Sequence, residues 1–327
     1  MNQSSKGLAA PGITVVLATG GTIAGRSARS DDLVGYVPGQ VAVADLLAAV
    51  PGLNGLPLEG EQVAQIDSKD MSLPVWQDLV RRLVHHLARP EVGSVVITHG
   101  TDTLEETAYL LHALLQPTKP VVLTCAMRPA TALMADGPQN LSDAVALARH
   151  PGACGVVVVC AGEVHAGLEV NKVHSYRLDA FDSGDAGALG VMEAGQLRLF
   201  RAFPQPAQPA PTAALLLERF LSANALPRVA LLTSHADADG DGVRAWLSQP
   251  AERPLRGLVV AGTGNGSVNQ PLEDALAEAQ TGGVRVVRAT RCARGKVLPR
   301  PGHALPEISG LSPVKTRLAL ALELLAG

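Results

Sequence analysis

Two short segments gather hydroxyls where a reaction needs them. LATGGTIAGR (17–26) sets Thr22 behind two glycines at the exit of an apolar run, and THGTDTLEETA (98–108) crowds Thr98, Thr101, Asp102 and Thr103 at the end of another. A threonine hydroxyl is a weak nucleophile near neutral pH. It needs a base that takes its proton as it attacks, so a second constellation has to supply base and orientation. The 98–108 segment offers one. A purely structural account is also open: Thr101 or Asp102 caps the following helix, with Glu105 or Glu106 completing a capping box. That explains one of these residues and not all of them.

Other chemistries fit less well. Dinucleotide binding wants G-x-G-x-x-G between strand and helix, whereas TGGTIAG has different spacing and runs into the polar stretch RSARSDDLVGYVPG. GTGNGS (262–267) fails at the third glycine, and no glycine precedes a lysine and hydroxyl at the spacing of a phosphate loop. DADGDG (237–242) imitates the start of a calcium loop through Asp237, Asp239 and Asp241, yet its twelfth position is Ser248 rather than a bidentate glutamate. It reads as a solvated loop leading into a helix. No HExxH occurs; His85 and His86 are adjacent on a helix and cannot share one face, so no metal site is expected. Cys125, Cys154, Cys160 and Cys292 form no CxxC pair, and Cys125 and Cys160 lie inside apolar runs, where a free thiol behaves as a small hydrophobe.

The elements that must hold these residues are legible in the hydrophobic pattern. Strand-length apolar runs recur at 13–19, 63–68, 94–100, 120–126 and 155–162, separated mostly by helical patterns, as in a parallel sheet covered on both faces. Helices are expected at 74–89, 103–115 and 140–150, the first with Val75, Leu79, Leu83 and Leu87 as one stripe. Residues 187–200 read as a hairpin turning at Ala194 and Gly195. The prolines of FPQPAQPAPTAA favour an extended connector. The expected division is a catalytic domain 1–203, a Pro-rich linker 204–215 and a smaller α/β domain 216–327, with strands at 228–234, 257–263 and 284–290 and a closing helix. The fold class is α/β, with a larger N-terminal domain built on a mostly parallel sheet flanked by helices. In such sheets reactive groups gather beyond the carboxyl ends of the strands. Four ends qualify: Thr19 to Thr22, Asp67 to Asp70, His99 to Thr103, and Cys125 to Arg128.

At 327 residues, with 47% hydrophobic and 17% charged residues and a net charge of −3, the chain has the composition of a compact globular protein. It lacks the basic footprint of a nucleic-acid or anionic-membrane binder. No segment reads as a signal peptide or membrane span. A cytoplasmic location is expected, or a periplasmic one if a signal peptide has been removed.

TGGTIAG and THGTDTLEETA resemble the two signature motifs of the bacterial L-asparaginase family, threonine amidohydrolases. The resemblance extends in the family's order through GEQVAQIDSKDM (60–71), KPVVLTCAMRPATALMADGPQNL (119–141), VNKVHS (170–175) and VAGTGNG (260–266), and so covers nearly the whole chain. It implies a cofactor-free enzyme of asparagine catabolism that hydrolyses L-asparagine to L-aspartate and ammonia through a threonine-linked β-aspartyl ester. By the same resemblance Thr22 is the nucleophile, Tyr36 closes over it, and Thr101, Asp102 and Lys172 form a supporting triad. Lysine can act as a base there only if burial lowers its pKa.

The resemblance also implies that Ser68, Lys69, Asp102, Ala126 and Asn265 fall at substrate-binding positions, with Asn265 reaching across a subunit interface. A homotetramer, a dimer of dimers with active sites at the subunit interface, is implied. Two departures stand out: Lys69 replaces a common glutamine near the substrate's ammonium, and RCARGKVLPRPGHA lacks the carboxylate usually lent by a neighbouring subunit. Alternatives are a glutaminase or other amino-acid amidase, or a non-catalytic amino-acid-binding protein.

Overall fold

The computed structural model describes residues 12–205, 211–249, 252, 254–302, 305 and 307–327. The chain divides into two compact units, Met1–Pro209 and Ala210–Gly327.

In the first unit the strands are β1 (Ile13–Gly20), β2 (Leu58–Ile66), β3 (Val92–Thr98), β4 (Val121–Thr124), β5 (Val156–Cys160), β6 (Glu163–Ala166), β7 (Asn171–Lys172), β8 (Phe181–Asp182), β9 (Gly190–Glu193) and β10 (Gln196–Leu199). The helices are α1 (Val43–Ala48), α2 (Leu73–Ala88), α3 (Leu104–Leu115) and α4 (Gly137–Ala148). Eight strands form one sheet in the order β10-β9-β6-β5-β4-β3-β1-β2. From β2 through β5 neighbouring strands are parallel, and β6, β9 and β10 extend the sheet antiparallel. The central strands are buried on both faces because helices cover both, which is why β1, β3, β4 and β5 read as unbroken apolar runs. On one face Val16, Val96, Val122 and Val157 pack with Leu141, Ala144 and Val145 of α4. The turn between β9 and β10 falls at Ala194 (φ 50°) and Gly195 (φ 74°), the two left-handed residues a tight hairpin requires.

Three local expectations change. The edge strand β2 starts at Leu58, five residues earlier than its apolar run, because an edge strand tolerates alternating polar residues. The α2 stripe buries Trp76, Leu79, Val80, Leu83 and His86; Val75 and Leu87 are only half-buried, since a strict four-residue spacing drifts around a 3.6-residue helix. The expected linker also ends sooner. Residues 206–210 of it lie outside the described residues, and 211–215 are the first residues of α5 (Pro211–Ser222), which opens on Pro211 where a missing N–H is tolerated.

The second unit holds β11 (Val229–Thr233), β12 (Gly257–Gly262) and β13 (Arg285–Thr290) in a three-stranded parallel sheet, with α6 (Asp241–Leu247), α7 (Gln270–Thr281) and α8 (Pro313–Ala326). Alternate residues of β12 serve opposite faces: Leu258 and Val260 pack with Leu272, Ala275 and Leu276 of α7, and Val259 packs with Leu320 and Ala321 of α8. In the DADGDG segment Asp239 accepts the backbone N–H of Asp241 at the start of α6. Among the described residues no group of three or more His, Cys, Asp or Glu side chains is arranged to hold a metal ion.

Beneath the β3–α3 connection runs a buried hydrogen-bond chain. Trp76 Nε1–H donates to Thr107 Oγ1 (2.9 Å), Thr107 Oγ1 lies 2.9 Å from His99 Nε2, and His99 Nδ1 lies 2.7 Å from the carbonyl of Gly100. A carbonyl only accepts, so Nδ1 carries the ring proton and Nε2 accepts from the Thr107 hydroxyl. Burial pushes the His99 pKa down to about 4, although its bond to the Gly100 carbonyl favours the protonated form. With the folded pKa below the unfolded one, the unfolded chain binds the extra proton first, so stability falls as pH drops from about 6.5 to about 4. The full loss is about 3 kcal/mol from this group. Urea unfolding at pH 7 and pH 4.5 checks this: His99→Gln should show a shallower pH dependence than the parent chain, and equal dependence would rule the effect out.

Candidate active site

Three of the four strand ends converge because glycines let backbones approach, and Met127 reaches the same cavity from the fourth. Gly21 (φ 79°) passes so close to Gly100 that a Cβ on it would sit 2.4 Å from the Gly100 Cα. A Cβ on Gly100 would in turn sit 2.5 Å from Ser68 Oγ. The ends of β1, β2 and β3 are thereby brought into contact. They border a cavity of about 220 Å³.

Thr22 opens a short 3₁₀ turn (Thr22–Ala24) directly after Gly21 and is 6% exposed. Its Oγ1 lies 2.6 Å from the Tyr36 hydroxyl. Tyr36 arrives on the 26–37 loop, whose ends are tied together by Arg26 N–H to Val37 O (2.9 Å) and Val37 N–H to Arg26 O (2.8 Å). The loop therefore lies closed over Thr22, with Leu33 and Val34 also facing the cavity.

Thr101 and Asp102 follow β3. Neither caps α3: its N-cap is Thr103, with no side-chain cap bond, and the Thr103 hydroxyl donates instead to the carbonyl of Ser68 (2.8 Å). The capping account of this motif is set aside. Lys172 Nζ, on β7, donates to Thr101 Oγ1 at 2.8 Å and to Asp102 Oδ1 at 2.6 Å. Ser68 Oγ accepts the Asp102 backbone N–H (3.1 Å), which leaves the Ser68 hydroxyl proton to donate elsewhere. Thr22, Tyr36, Ser68, Thr101, Asp102 and Lys172 all border the one cavity.

Three other sequence candidates sit elsewhere. Lys69 does not border the cavity. Its Nζ pairs with Asp67 Oδ2 (2.6 Å) and Asp70 Oδ2 (3.4 Å), and the hydrogen bond to Asp67 raises its pKa. The Lys69 charge is thus met by Asp67 and Asp70, and not by Asp102, which pairs with Lys172. Ala126 is fully buried in the sheet core, and its neighbour Met127 faces the cavity instead. Asn265, in the turn after β12, is held by the segment that follows β13: Nδ2 donates to Leu298 O (3.1 Å) and Oδ1 accepts from Leu298 N–H (2.7 Å).

Asp67, Ser175 and Tyr176 also line the cavity and were given no role from sequence. Asp67 stands at a strand end and Ser175 closes the VNKVHS segment, so position alone marked them. Tyr176 carried no signal. Behind the wall, the Asp136 carboxylate accepts the backbone N–H groups of Met127 and Arg128 (2.9 Å each), and Cys125 Sγ lies 3.4 Å from Cys160 Sγ as a free thiol pair. That neighbour and burial push the Cys125 thiol up, away from the reactive thiolate.

Asparaginase, N-terminal, is the family domain that matches residues 14–205, and the Glutaminase/Asparaginase C-terminal domain matches residues 228–326. The chain is 36% identical to L-asparaginase 2 of Escherichia coli (strain K12) over 332 residues, 99% of this chain and 92% of that one. It is 35% identical to the glutaminase-asparaginase of Acinetobacter glutaminasificans over 319 residues, 95% and 94% of the two chains. A solved structure titled as a probable cytoplasmic L-asparaginase from Campylobacter jejuni superposes with a TM-score of 0.84 at 35% identity, covering 96% of this chain and 95% of that one. A hydroxyl pair and a lysine-centred triad facing one cavity, on a chain matched along both its domains, make this protein a member of the asparaginase family of amidohydrolases.

Proposed function

We propose that the protein hydrolyses L-asparagine to L-aspartate and ammonia by double displacement at Thr22. Thr22 Oγ1 forms a bond to the side-chain carbonyl carbon while its proton passes into the relay of Thr101 and Lys172. The C–N bond breaks, ammonia leaves with that proton, and a β-aspartyl ester remains on Thr22. Water then adds to the ester carbonyl, its proton returns to Thr22, and L-aspartate departs. Backbone N–H groups beside Thr22 and Thr101 serve the oxyanion, with Gly21 and Gly100 giving the chain room to approach. No cofactor takes part in these steps.

The observation that carries this reading is the double hydrogen bond of Lys172 Nζ to Thr101 and Asp102, facing the cavity that Thr22 also borders. Drawing a proton requires the neutral amine, and the ammonium formed is then held by Asp102. The other Asp102 oxygen remains for the substrate's α-ammonium, and the Ser68 hydroxyl for its α-carboxylate. Val34 and Tyr176 line the cavity while being 80% and 57% exposed, an apolar rim that fits a mouth shared between copies of the chain. A homotetramer with sites completed by a neighbour is the assembly we propose, and the cytoplasm the compartment. The Asn265 loop is the proposed contribution across that interface.

Ammonia release from L-asparagine, L-glutamine and D-asparagine tests the substrate assignment. The expected result is the highest kcat/KM for L-asparagine, by about tenfold or more over L-glutamine, because one added methylene shifts the reacting carbonyl from Thr22. Equal or higher values for L-glutamine would make the protein a glutaminase. Binding without ammonia release would make it an amino-acid-binding protein.

A further inference from the structure

Lys172 depends on an unusually short element. β7 is two residues long and, among the described residues, pairs with β8, Asn171 opposite Asp182 and Lys172 opposite Phe181, in a ribbon separate from the eight-stranded sheet and prolonged by one further bond, Val173 N–H to Ala180 O (2.8 Å). A two-residue ribbon is a weak hold for an amine that must stay within hydrogen-bond reach of two partners. The backbone N–H of Lys172 turns instead to Glu105, whose Oε2 accepts it at 2.7 Å. Glu105 stands in the first turn of α3, three residues after Asp102. An acid in a first helical turn ordinarily serves its own helix terminus. Here its carboxylate reaches a backbone 67 residues further along the chain.

We propose that Glu105 is a positioning residue, tying the Lys172 backbone to the helix that begins directly after Thr101 and Asp102. Resting on the reading that Lys172 serves the reaction, it makes one segment, 98–108, the holder of Lys172 at both ends: Thr101 and Asp102 at the amine, Glu105 at the main chain. The contact is made by an acceptor oxygen and does not need the negative charge.

The test compares Glu105→Gln, which keeps an acceptor oxygen at the same reach, with Glu105→Leu, which removes it. Expected for Glu105→Leu is a kcat lowered about 10- to 100-fold with KM within about twofold, as for other orienting partners of reactive groups. Glu105→Gln should keep kcat within about threefold and leave the pH profile in place. Thermal unfolding of each variant verifies the fold. Should Glu105→Leu fail to fold, Glu105→Asp replaces it, its carboxylate withdrawn by one methylene and its kcat expected to fall while Glu105→Gln stays active. Two results overturn the proposal: a Glu105→Leu variant with parental kcat and Lys172 Nζ still at Thr101, or a Glu105→Gln variant as impaired as Glu105→Leu with a displaced pH profile, which would assign the role to charge. Crystallography of Glu105→Leu separates this from the mechanism itself. Lys172 Nζ unmoved from Thr101 contradicts positioning, whereas Nζ displaced with turnover unchanged contradicts the role of Lys172.

Discussion

Thr22→Ala will lower kcat for ammonia release from L-asparagine by about 10⁴-fold or more, because the residue that forms the covalent bond cannot be replaced by its neighbours. The fold should survive. The change removes one hydroxyl and one methyl from a cavity-facing side chain whose hydrogen bond is to Tyr36, itself beside the opening. Substrate binding should survive too, since the groups proposed for the α-ammonium and α-carboxylate, Asp102 and Ser68, are untouched. Calorimetric titration of Thr22→Ala with L-asparagine is therefore expected to give a binding isotherm with no ammonia, and Thr22→Ser should recover much of the lost turnover. A Thr22→Ala variant within tenfold of the parent would remove Thr22 from the mechanism.

The second large effect belongs to Lys172. Lys172→Met, close in length but without an amine, should lower kcat by about 10³-fold, the scale of a lost proton-transfer group together with a lost orienting contact to Thr101. Stability should change little. The Asp102 side chain is about half exposed (53%), so its carboxylate is hydrated when the amine is gone, and such pairs contribute about 1 kcal/mol or less. Lys172→Arg sharpens the test. Arginine keeps a cation beside Asp102 but has no neutral form near physiological pH. It should be nearly as inactive as Lys172→Met; an active Lys172→Arg would mean that a fixed positive charge suffices.

Much of this arrangement is written plainly in the chain. Strands buried on both faces announce themselves as apolar runs, and their ends then mark where Thr22, Thr101 and Met127 emerge. The elements hidden in the sequence are the half-exposed or very short ones. β2 begins among polar residues because it is an edge; β6, β7 and β8 span only two to four residues each, too few for a period to show. The same limit applies inside the site. Motif order located Lys172, but the bond of its main chain to Glu105 is a contact across 67 residues that no local pattern encodes. Lys69 shows the converse. Its position in the motif suggested a charge facing the substrate, while the side chain is free to turn and pairs with the nearer carboxylates of Asp67 and Asp70. A flexible four-carbon stem follows the local field more than the register of its backbone.

The central claim is a covalent ester on one hydroxyl, and rapid acid quenching during turnover of L-asparagine examines it directly. After protease digestion and mass spectrometry, the account predicts an aspartyl group on the peptide Gly7–Arg26, located by fragmentation at Thr22 and absent from Thr22→Ala. An aspartyl group on Thr101 instead, or a burst of ammonia with the Thr22 peptide unmodified, would contradict it.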